Sequence, residues 1–254
     1  MKYGVIDIGS NSVRLMVSDG IKSLYKKINT TRLGSALSLT GRLDKERMKE
    51  TAEATEQFVL EAKRENCESI YVFATEAVRS AQNRDEFLQL LSEKDIQVEI
   101  ISSKDEAKLG FVGAYTDGVC CVLDIGGGSA ELAVGDVNGL TYAKSLPIGA
   151  VRIFDSCKED IVAIDEFISC NLKEYGKLPK FDNLIAIGGT ATTFVAIMEK
   201  MTVYNPKVVD GYGLTLKSIE EITNAIHNMD MAARLQLAGL EHKRANVIVG
   251  GGRV

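Results

Sequence analysis

Two segments of the chain share an aspartate, small turn residues and alternating apolar residues. The segment Val5–Asp19 recurs 117 positions later as Val122–Asp136, with eight of fifteen residues identical. In each copy an apolar strand ends in Asp7 or Asp124, passes through Ile-Gly and small residues, and resumes as a strand, which predicts a tight hairpin. Turn amides of this kind bind anions, and a carboxylate at the strand end can hold a hydrated divalent cation beside the anion. The chemistry indicated is therefore binding of phosphate together with a metal ion.

An ordinary glycine turn would explain either hairpin taken alone. The two copies, however, keep Asp, Ile, Gly, Ser, Leu, Val and Asp in register, and this favours a duplicated phosphate-binding hairpin. Asp7 and Asp124 can alternatively be turn-forming residues whose side chains bond the local backbone. Their shared register favours a role beside the metal. Two such hairpins facing each other would clamp one phosphate chain.

A third element begins at Leu184, where an apolar strand runs into Gly188-Gly189-Thr190 and the start of a helix. The free N–H groups and the dipole of a helix N-terminus attract phosphate. Many strand–Gly-Gly–helix turns bind no ligand, so this element alone decides nothing. With the two hairpins it completes a site of the nucleotide-binding kind, in which Thr190 is placed to cap the helix.

The bulk composition is that of a globular protein, with 254 residues, 45% hydrophobic, 26% charged and a net charge of -5. The negative charge argues against non-specific nucleic-acid binding. Five cysteines without a C-x-x-C pair indicate neither a zinc site nor a disulfide framework. The two histidines, His227 and His242, argue against a histidine-based triad. We find no signal peptide and no run of about 18 apolar residues, and therefore expect no membrane span and a cytoplasmic location.

Strands alternate with helices along the chain, which predicts an α/β protein with a mixed, largely parallel sheet in each half. A helix over about 44–66 has Asp44 in position to cap it. The chain breaks near Gly118, just before the repeat restarts. We therefore predict two domains, 1–118 and 119–254, with ligands bound between them.

Three further charged residues lie near the ends of these elements. Ser103-x-x-Glu106 fits a capping box, so Glu106 can serve either the helix start or chemistry. Glu131 lies two residues after Ser129 and on the same strand face, and its alternative is an outward-facing surface residue. Arg79, in a helix that begins at Thr75, can contact phosphate or cover the helix surface with its stem.

Six short segments occur in a fixed order: Asp7–Ser12, Ala74–Arg79, Asp105–Ala107, Asp124–Glu131, Leu146–Arg152 and Gly188–Thr193. Together they resemble the exopolyphosphatase / guanosine pentaphosphate phosphatase (Ppx/GppA) family, over nearly the whole chain. The resemblance implies a two-domain actin-like (ribonuclease H-like) ATPase fold with an interdomain cleft. It also implies Mg2+-dependent removal of a terminal phosphate from inorganic polyphosphate or guanosine pentaphosphate.

The resemblance also implies roles for individual residues. Glu106 is similar to the family's catalytic base and Glu131 to a residue that orients the water, while Asp7 and Asp124 match the metal-side carboxylates, and Arg14 is a further candidate. The implied phosphate-binding residues are Ser10, Asn11, Ser12, Arg79, Gly126, Gly127, Gly128, Ser129, Gly188, Gly189 and Thr190.

The sequence departs from the family pattern at Ala130, Asp105, Ser103 and Asp210, where Thr, Glu, Gly and His are usual. Family members generally continue beyond 244–249 into a further strand and helix. That part is either dispensable or replaced by a neighbouring subunit, or the fold is less rigid and activity is reduced.

We expect a homodimer, with 146–152 and 217–229 as candidate contact surfaces. The departures from the family pattern motivate a second hypothesis, a non-catalytic sensor of polyphosphate or nucleotide. A third is an ATPase or small-molecule kinase of the wider actin-like group.

Overall fold

The computed structural model describes residues 1–254, which form two compact units, Met1–Glu106 and Ala107–Val254. The division lies earlier in the chain than Gly118, within the helix Ser103–Ala114. No helix is both long enough and apolar enough to span a membrane.

The first unit is built on a five-stranded sheet. Its strands are β1 (Tyr3–Ile8), β2 (Val13–Ser18), β3 (Ser23–Asn29), β4 (Ser69–Ala74) and β5 (Glu99–Ile100). They lie in the order β3-β2-β1-β4-β5, with β1–β2 and β2–β3 antiparallel and β1–β4 and β4–β5 parallel. Alternate residues of β1 and β2 are buried, so that one face of the hairpin joins the core and the opposite face carries Asp7 and Arg14.

Four helices accompany this sheet: α1 (Leu37–Thr40), α2 (Lys45–Arg64), α3 (Glu76–Ser80) and α4 (Arg84–Ser92). A fifth helix, α5 (Ser103–Ala114), follows β5 and crosses the boundary between the units; its Ala107 and Phe111 pack in a core cluster of the second unit. The side chain of Asp44 accepts a hydrogen bond from Arg47 N at 3.0 Å and caps α2, as the sequence predicts. Buried residues of α2 and α4, among them Met48, Phe58 and Phe87, pack with the apolar face of β1 and β2 in one core.

The second unit repeats the first topology around four strands. They are β6 (Cys120–Ile125), β7 (Ala130–Asp136), β8 (Gly139–Leu146) and β9 (Asn183–Ile187), in the order β8-β7-β6-β9. The pairs β6–β7 and β7–β8 are antiparallel and β6–β9 is parallel, so β6 to β9 take the places of β1 to β4. The repeat seen in the sequence is thus a repeat of the fold.

Seven helices follow β8: α6 (Ala150–Cys157), α7 (Ile161–Leu172), α8 (Gly188–Met198), α9 (Pro206–Val209), α10 (Leu216–His227), α11 (Met231–Leu235) and α12 (Ile248–Arg253), besides short 3-10 turns at Lys173–Tyr175 and His242–Arg244. Arg234 is 2% exposed and bonds Glu159 and the carbonyls of Ile226, His227 and Ala245, which ties α10 and α11 to the segment before α12.

Three consecutive glycines allow α12 to approach its neighbours closely. A Cβ added at Gly250, Gly251 or Gly252 would overlap Ile153 of α6, Thr190 of α8, or Thr223 of α10 together with Phe194 of α8. The helix is therefore held among three others by backbone contact.

Candidate active site

The two hairpin turns have the same geometry. Gly9 N–H donates to the carbonyl oxygen of Ser12 at 3.0 Å, and Gly126 N–H donates to that of Ser129 at 3.0 Å. The residues between them have no regular secondary structure, and the flanking strands pair up to Ile8–Val13 and Ile125–Ala130. The predicted duplicated turn is present in each unit.

The carbonyl groups of the first turn are held from the following loop. Ser10 O accepts a hydrogen bond from Gly34 N at 2.8 Å, and Asn11 O accepts one from Arg32 N at 2.9 Å. Arg32 adopts φ 55°, the left-handed region that a non-glycine residue occupies at a cost. Gly34 packs so closely that an added Cβ would lie 2.9 Å from the Ser10 Cβ. The loop around Arg32 thus fixes the orientation of the turn's peptide groups.

The second turn is held in the same way by the start of α6. The carbonyls of its three consecutive glycines all accept hydrogen bonds from α6. Ala150 N donates to Gly126 O at 2.9 Å, Val151 N to Gly127 O at 2.8 Å and Arg152 Nε to Gly128 O at 2.8 Å. Gly149 has no room for a side chain, since a Cβ would lie 2.5 Å from backbone atoms of the turn. Most of 146–152 is buried against its own unit and does not offer the dimer surface that the sequence suggested.

Peptide groups whose carbonyls are held from behind point their N–H groups the opposite way. The N–H groups of Asn11, Gly127 and Gly128 belong to such peptide groups, since each follows a residue whose carbonyl is held. These N–H groups, like that of Ser10, donate to no backbone or side-chain acceptor of the protein. Successive unpaired amides of this kind make a concave anion site. Each unit therefore contains a turn with unpaired amides, an arrangement that can receive an anion.

The strand-end aspartate of the first hairpin is paired with an arginine. Arg14 lies directly opposite Asp7 across β1 and β2, and its Nη1 donates to Asp7 Oδ2 at 3.2 Å. Asp7 Oδ1 is buried and has no hydrogen-bond partner. Burial raises the pKa of the Asp7 carboxyl above its ordinary value, although the charge and hydrogen bond of Arg14 partly offset this. A buried carboxylate oxygen without a partner needs a cation, a proton donor or a water.

The second hairpin carries two carboxylates where the first carries a salt bridge. Asp124 lies opposite Glu131 across β6 and β7, at the positions equivalent to Asp7 and Arg14. Directly opposite side chains in an antiparallel pair share a face, with Cβ atoms about 4.5–5.5 Å apart. Two neighbouring carboxylates repel unless a positive charge or a proton lies with them. This hairpin is therefore the more suitable of the two for a cation.

The start of α8 lies against the second hairpin, as the sequence predicts. Gly188 has φ 87°, and a Cβ at this position would overlap Asp124 Oδ1 and approach the backbone of Ile125. The expected side-chain cap by Thr190 is wrong, because α8 has none; the Thr190 hydroxyl donates to Ile125 O at 3.3 Å instead. Thr190 thus locks the helix start to the end of β6.

The same arrangement recurs in the first unit at Thr75. Thr75 precedes α3 but makes no side-chain cap bond. Its hydroxyl donates to the carbonyl of Ile8 at 3.5 Å, as Thr190 does to that of Ile125. In both units, therefore, a threonine after the parallel strand ties the next helix to the hairpin.

Arg244, which no sequence motif places in the site, lies at the start of α8. Its guanidinium lies against Gly189, where an added Cβ would collide with it. The Arg244 side chain is 11% exposed and pairs with Glu241 at 3.3 Å. No local pattern marks this arginine, because it reaches the α8 start only through the packing of the chain before α12. It brings positive charge to a helix N-terminus.

Arg79 and Glu106 lie together in the first unit. Arg79 Nη1 donates to Glu106 Oε2 at 3.1 Å and to Ile101 O at 2.9 Å. The helix start at α5 is served by other residues: Ser102 Oγ accepts from Asp105 N at 3.1 Å and donates to Asp105 Oδ2 at 2.6 Å. The capping alternative for Glu106 is therefore wrong, and the phosphate contact predicted for Arg79 stays a prediction.

The site offers few side-chain ligands to a divalent cation. No group of three or more His, Cys, Asp or Glu side chains that could hold a metal ion is present. Within the second unit, the adjacent carboxylates Asp124 and Glu131 fit an ion that keeps much of its coordination from water and phosphate. Mg2+ is bound in this way in phosphate sites, through one or two carboxylates. The residues thus fit a hydrated cation and not a closed protein cage.

The sequence as a whole matches one family of phosphatases. Residues 12–254 match the sequence pattern of the Ppx/GppA phosphatase family. The chain belongs to the Ppx/GppA phosphatase family. It is thus a member of a family of hydrolases, and the order of motifs in the sequence is explained by that membership.

Curated relatives of this Ppx/GppA member differ in length. A bifunctional 3-dehydroquinate synthase/phosphatase of Fusobacterium nucleatum is 30% identical over 97% of this chain, but the chain spans only 41% of that protein. Exopolyphosphatase 2 of Mycobacterium tuberculosis is 26% identical over 98% of this chain and 87% of its own length.

Solved structures of the family share the fold of this chain. The Ppx/GppA family member of Aquifex aeolicus superposes with a TM-score of 0.79 at 30% identity, covering 100% of this chain and 88% of that one. An exopolyphosphatase-like protein superposes with a TM-score of 0.92 at 26% identity, covering 100% and 87%. The predicted actin-like α/β fold is confirmed.

Proposed function

We propose that this Ppx/GppA member releases the terminal phosphate of inorganic polyphosphate in a Mg2+-dependent reaction, with guanosine pentaphosphate as a second substrate. The observation that carries the proposal is the pair of turns whose carbonyls are held by hydrogen bonds while their N–H groups have no protein acceptor. Such turns suit a chain of phosphates, in which every unit carries anionic oxygens. Relatives named exopolyphosphatase support polyphosphate as the substrate.

Phosphoryl transfer depends mainly on positioning and charge stabilisation. The amides of Ser10, Asn11, Gly127 and Gly128 hold non-bridging oxygens, and the positive charge of Arg244 lies at the α8 start. When bound, Mg2+ supplies charge neutralisation at the phosphoryl oxygens.

The asymmetry of the two hairpins suggests a division of labour. Position 14 carries arginine, whereas the equivalent position 131 carries glutamate. Arg14 leaves the first hairpin without excess negative charge, since it pairs with Asp7. Asp124 and Glu131 together attract the cation and orient water in the second. We assign anion binding chiefly to the first hairpin and cation binding to the second.

Glu106 is the proposed general base. Its carboxylate accepts a hydrogen bond from Arg79 and does not cap α5, because Ser102 and Asp105 cap that helix. In-line attack of water on the terminal phosphorus forms the new P–O bond as the anhydride P–O bond breaks. Glu106 takes the proton of the attacking water, and the shortened polyphosphate leaves with the bonding electron pair.

Phosphate release from polyphosphate and guanosine pentaphosphate, with and without Mg2+, tests this proposal. Glu106→Gln should lower kcat about 100- to 10,000-fold, because a general base typically contributes that much. Asp105→Asn, one residue away and exposed, is the matched control and should keep most of the activity. Unchanged turnover in Glu106→Gln would reject the base, and substrate binding without phosphate release by the wild type would support the sensor hypothesis instead.

A further inference from the structure

Ser145 lies beside Glu131 on the neighbouring strand. The two residues are directly opposite in the β7–β8 register. Ser145 Oγ donates a hydrogen bond to Glu131 Oε1 at 2.6 Å, and Glu131 is only 3% exposed. Ser145, Glu131 and Asp124 thus form one row across three adjacent strands, on one face of the sheet.

In this hydrogen bond Ser145 is the donor and Glu131 the acceptor. An ionised carboxylate is an acceptor only, so the hydroxyl proton of Ser145 lies between the two oxygens. A separation of 2.6 Å is typical of a charge-assisted O–H···O⁻ bond, which is about twice as strong as a neutral one. Fixing Oε1 also fixes the plane of the carboxylate, and with it the direction of Oε2.

A second hydroxyl in this region, that of Tyr175, does not bond the Glu131 carboxylate. Tyr175 donates its phenolic proton to the carbonyl of Ala130 at 2.9 Å. Burial, and next the nearby charge of Glu131, raise the pKa of Tyr175 above its ordinary value, so the phenol keeps its proton. Tyr175 is therefore engaged with the main chain, whereas Ser145 addresses the carboxylate itself.

The first hairpin provides an internal comparison. There the row runs from Ile28 to Arg14 to Asp7, so the strand position equivalent to Ser145 holds an apolar residue. Arg14 needs no hydroxyl partner because it pairs with Asp7. The serine thus occurs in the repeat whose central residue is a glutamate.

We propose that Ser145 is a positioning residue for Glu131, which it aims by holding one carboxylate oxygen. This inference rests on the proposed function, in which Glu131 orients water beside the cation. Loss of the hydroxyl leaves Glu131 in place but removes a short bond that restrains the rotation of its carboxylate.

Ser145→Ala should lower kcat about 10- to 100-fold, the usual effect of removing a residue that orients a ligand or catalytic group. KM should stay within about twofold, since Ser145 touches no substrate. Ser145→Thr keeps the hydroxyl and a side chain suited to a strand, and should recover most of kcat. Thr141→Val is the matched control, because Thr141 lies on the same strand and its hydroxyl bonds Val134 O at 3.1 Å; it should leave kcat unchanged.

A double-mutant cycle separates positioning from a general structural effect. If Ser145 acts through Glu131, Ser145→Ala should cause no further loss in a Glu131→Gln background. Multiplicative losses, or wild-type kinetics in Ser145→Ala, would overturn the inference.

Crystal structures of the wild type and Ser145→Ala give a readout that does not need turnover. The Glu131 carboxylate should rotate or spread over several orientations in the variant, and an unchanged carboxylate would reject the positioning role. Absence of phosphate release by the wild type would instead reject the proposed function, while these structures would still decide the role of Ser145.

Discussion

Gly149→Ala should displace the second turn while every residue proposed to contact phosphate keeps its identity. The new Cβ would lie 2.5 Å from the carbonyl carbon and oxygen of Gly127 and the carbonyl carbon of Gly128. Ordinary contact begins near 3.4 Å, so the turn and the start of α6 must separate by the difference, about 0.9 Å. Overpacking of this kind costs about 1–3 kcal/mol. Misplacement of a binding group by about 1 Å can cost about 100-fold in rate.

The assay has two parts, the free energy of unfolding from urea denaturation and the rate of phosphate release from polyphosphate. We expect Gly149→Ala to lose stability in that range and to lose kcat/KM by about 100-fold through the displaced amides. Gly213→Ala is the control in the same unit, because a Cβ there meets nothing within 4 Å. Wild-type stability and kinetics in Gly149→Ala would show that the turn does not depend on close packing at this glycine.

Two further predictions concern stability. Burial raises the pKa of the Asp7 carboxyl in the folded state, so its ionised form opposes folding at neutral pH. Asp7→Asn should therefore unfold at higher urea than the wild type at neutral pH, while losing activity. The gain in stability should shrink as the pH falls through the folded-state pKa of Asp7. An advantage that does not change with pH would contradict this reading. Arg234→Met should lower the free energy of unfolding in urea by about 3–5 kcal/mol, because it leaves Glu159 and three carbonyls without their donor. Glu159→Gln should lower it less. Equal losses would argue that the Arg234–Glu159 ion pair, and not the carbonyl bonds, dominates.

The duplicated hairpin could be predicted because its signal is local and repeated. Strand alternation and a glycine turn fix the hairpin, and the recurrence of Asp7 at Asp124 gives the common register. The close approach of Gly188 to this hairpin follows from the strand–turn–helix pattern, since a parallel neighbour brings the helix start to the same sheet edge. These features depend on residues close in sequence.

Other features depend on packing that no short pattern records. Arg244 reaches Gly189 from far along the chain, and the capping role at α5 passes from Ser103 to Ser102 because the helix begins one residue earlier than the capping box requires. Asn83 precedes α4, where asparagine commonly caps a helix, yet its side chain bonds the backbone of Leu43 instead. Polar residues near helix ends have several acceptors within reach, and tertiary contacts choose among them.

The glycine run of α12 has a consequence for the order of folding. Each helical glycine costs about 0.5–1 kcal/mol relative to alanine, so a six-residue helix with three of them has no stability of its own. It can form only on surfaces that α6, α8 and α10 have already built. We therefore expect the contact of Arg244, just upstream, with Gly189 to be secured only when α12 has docked.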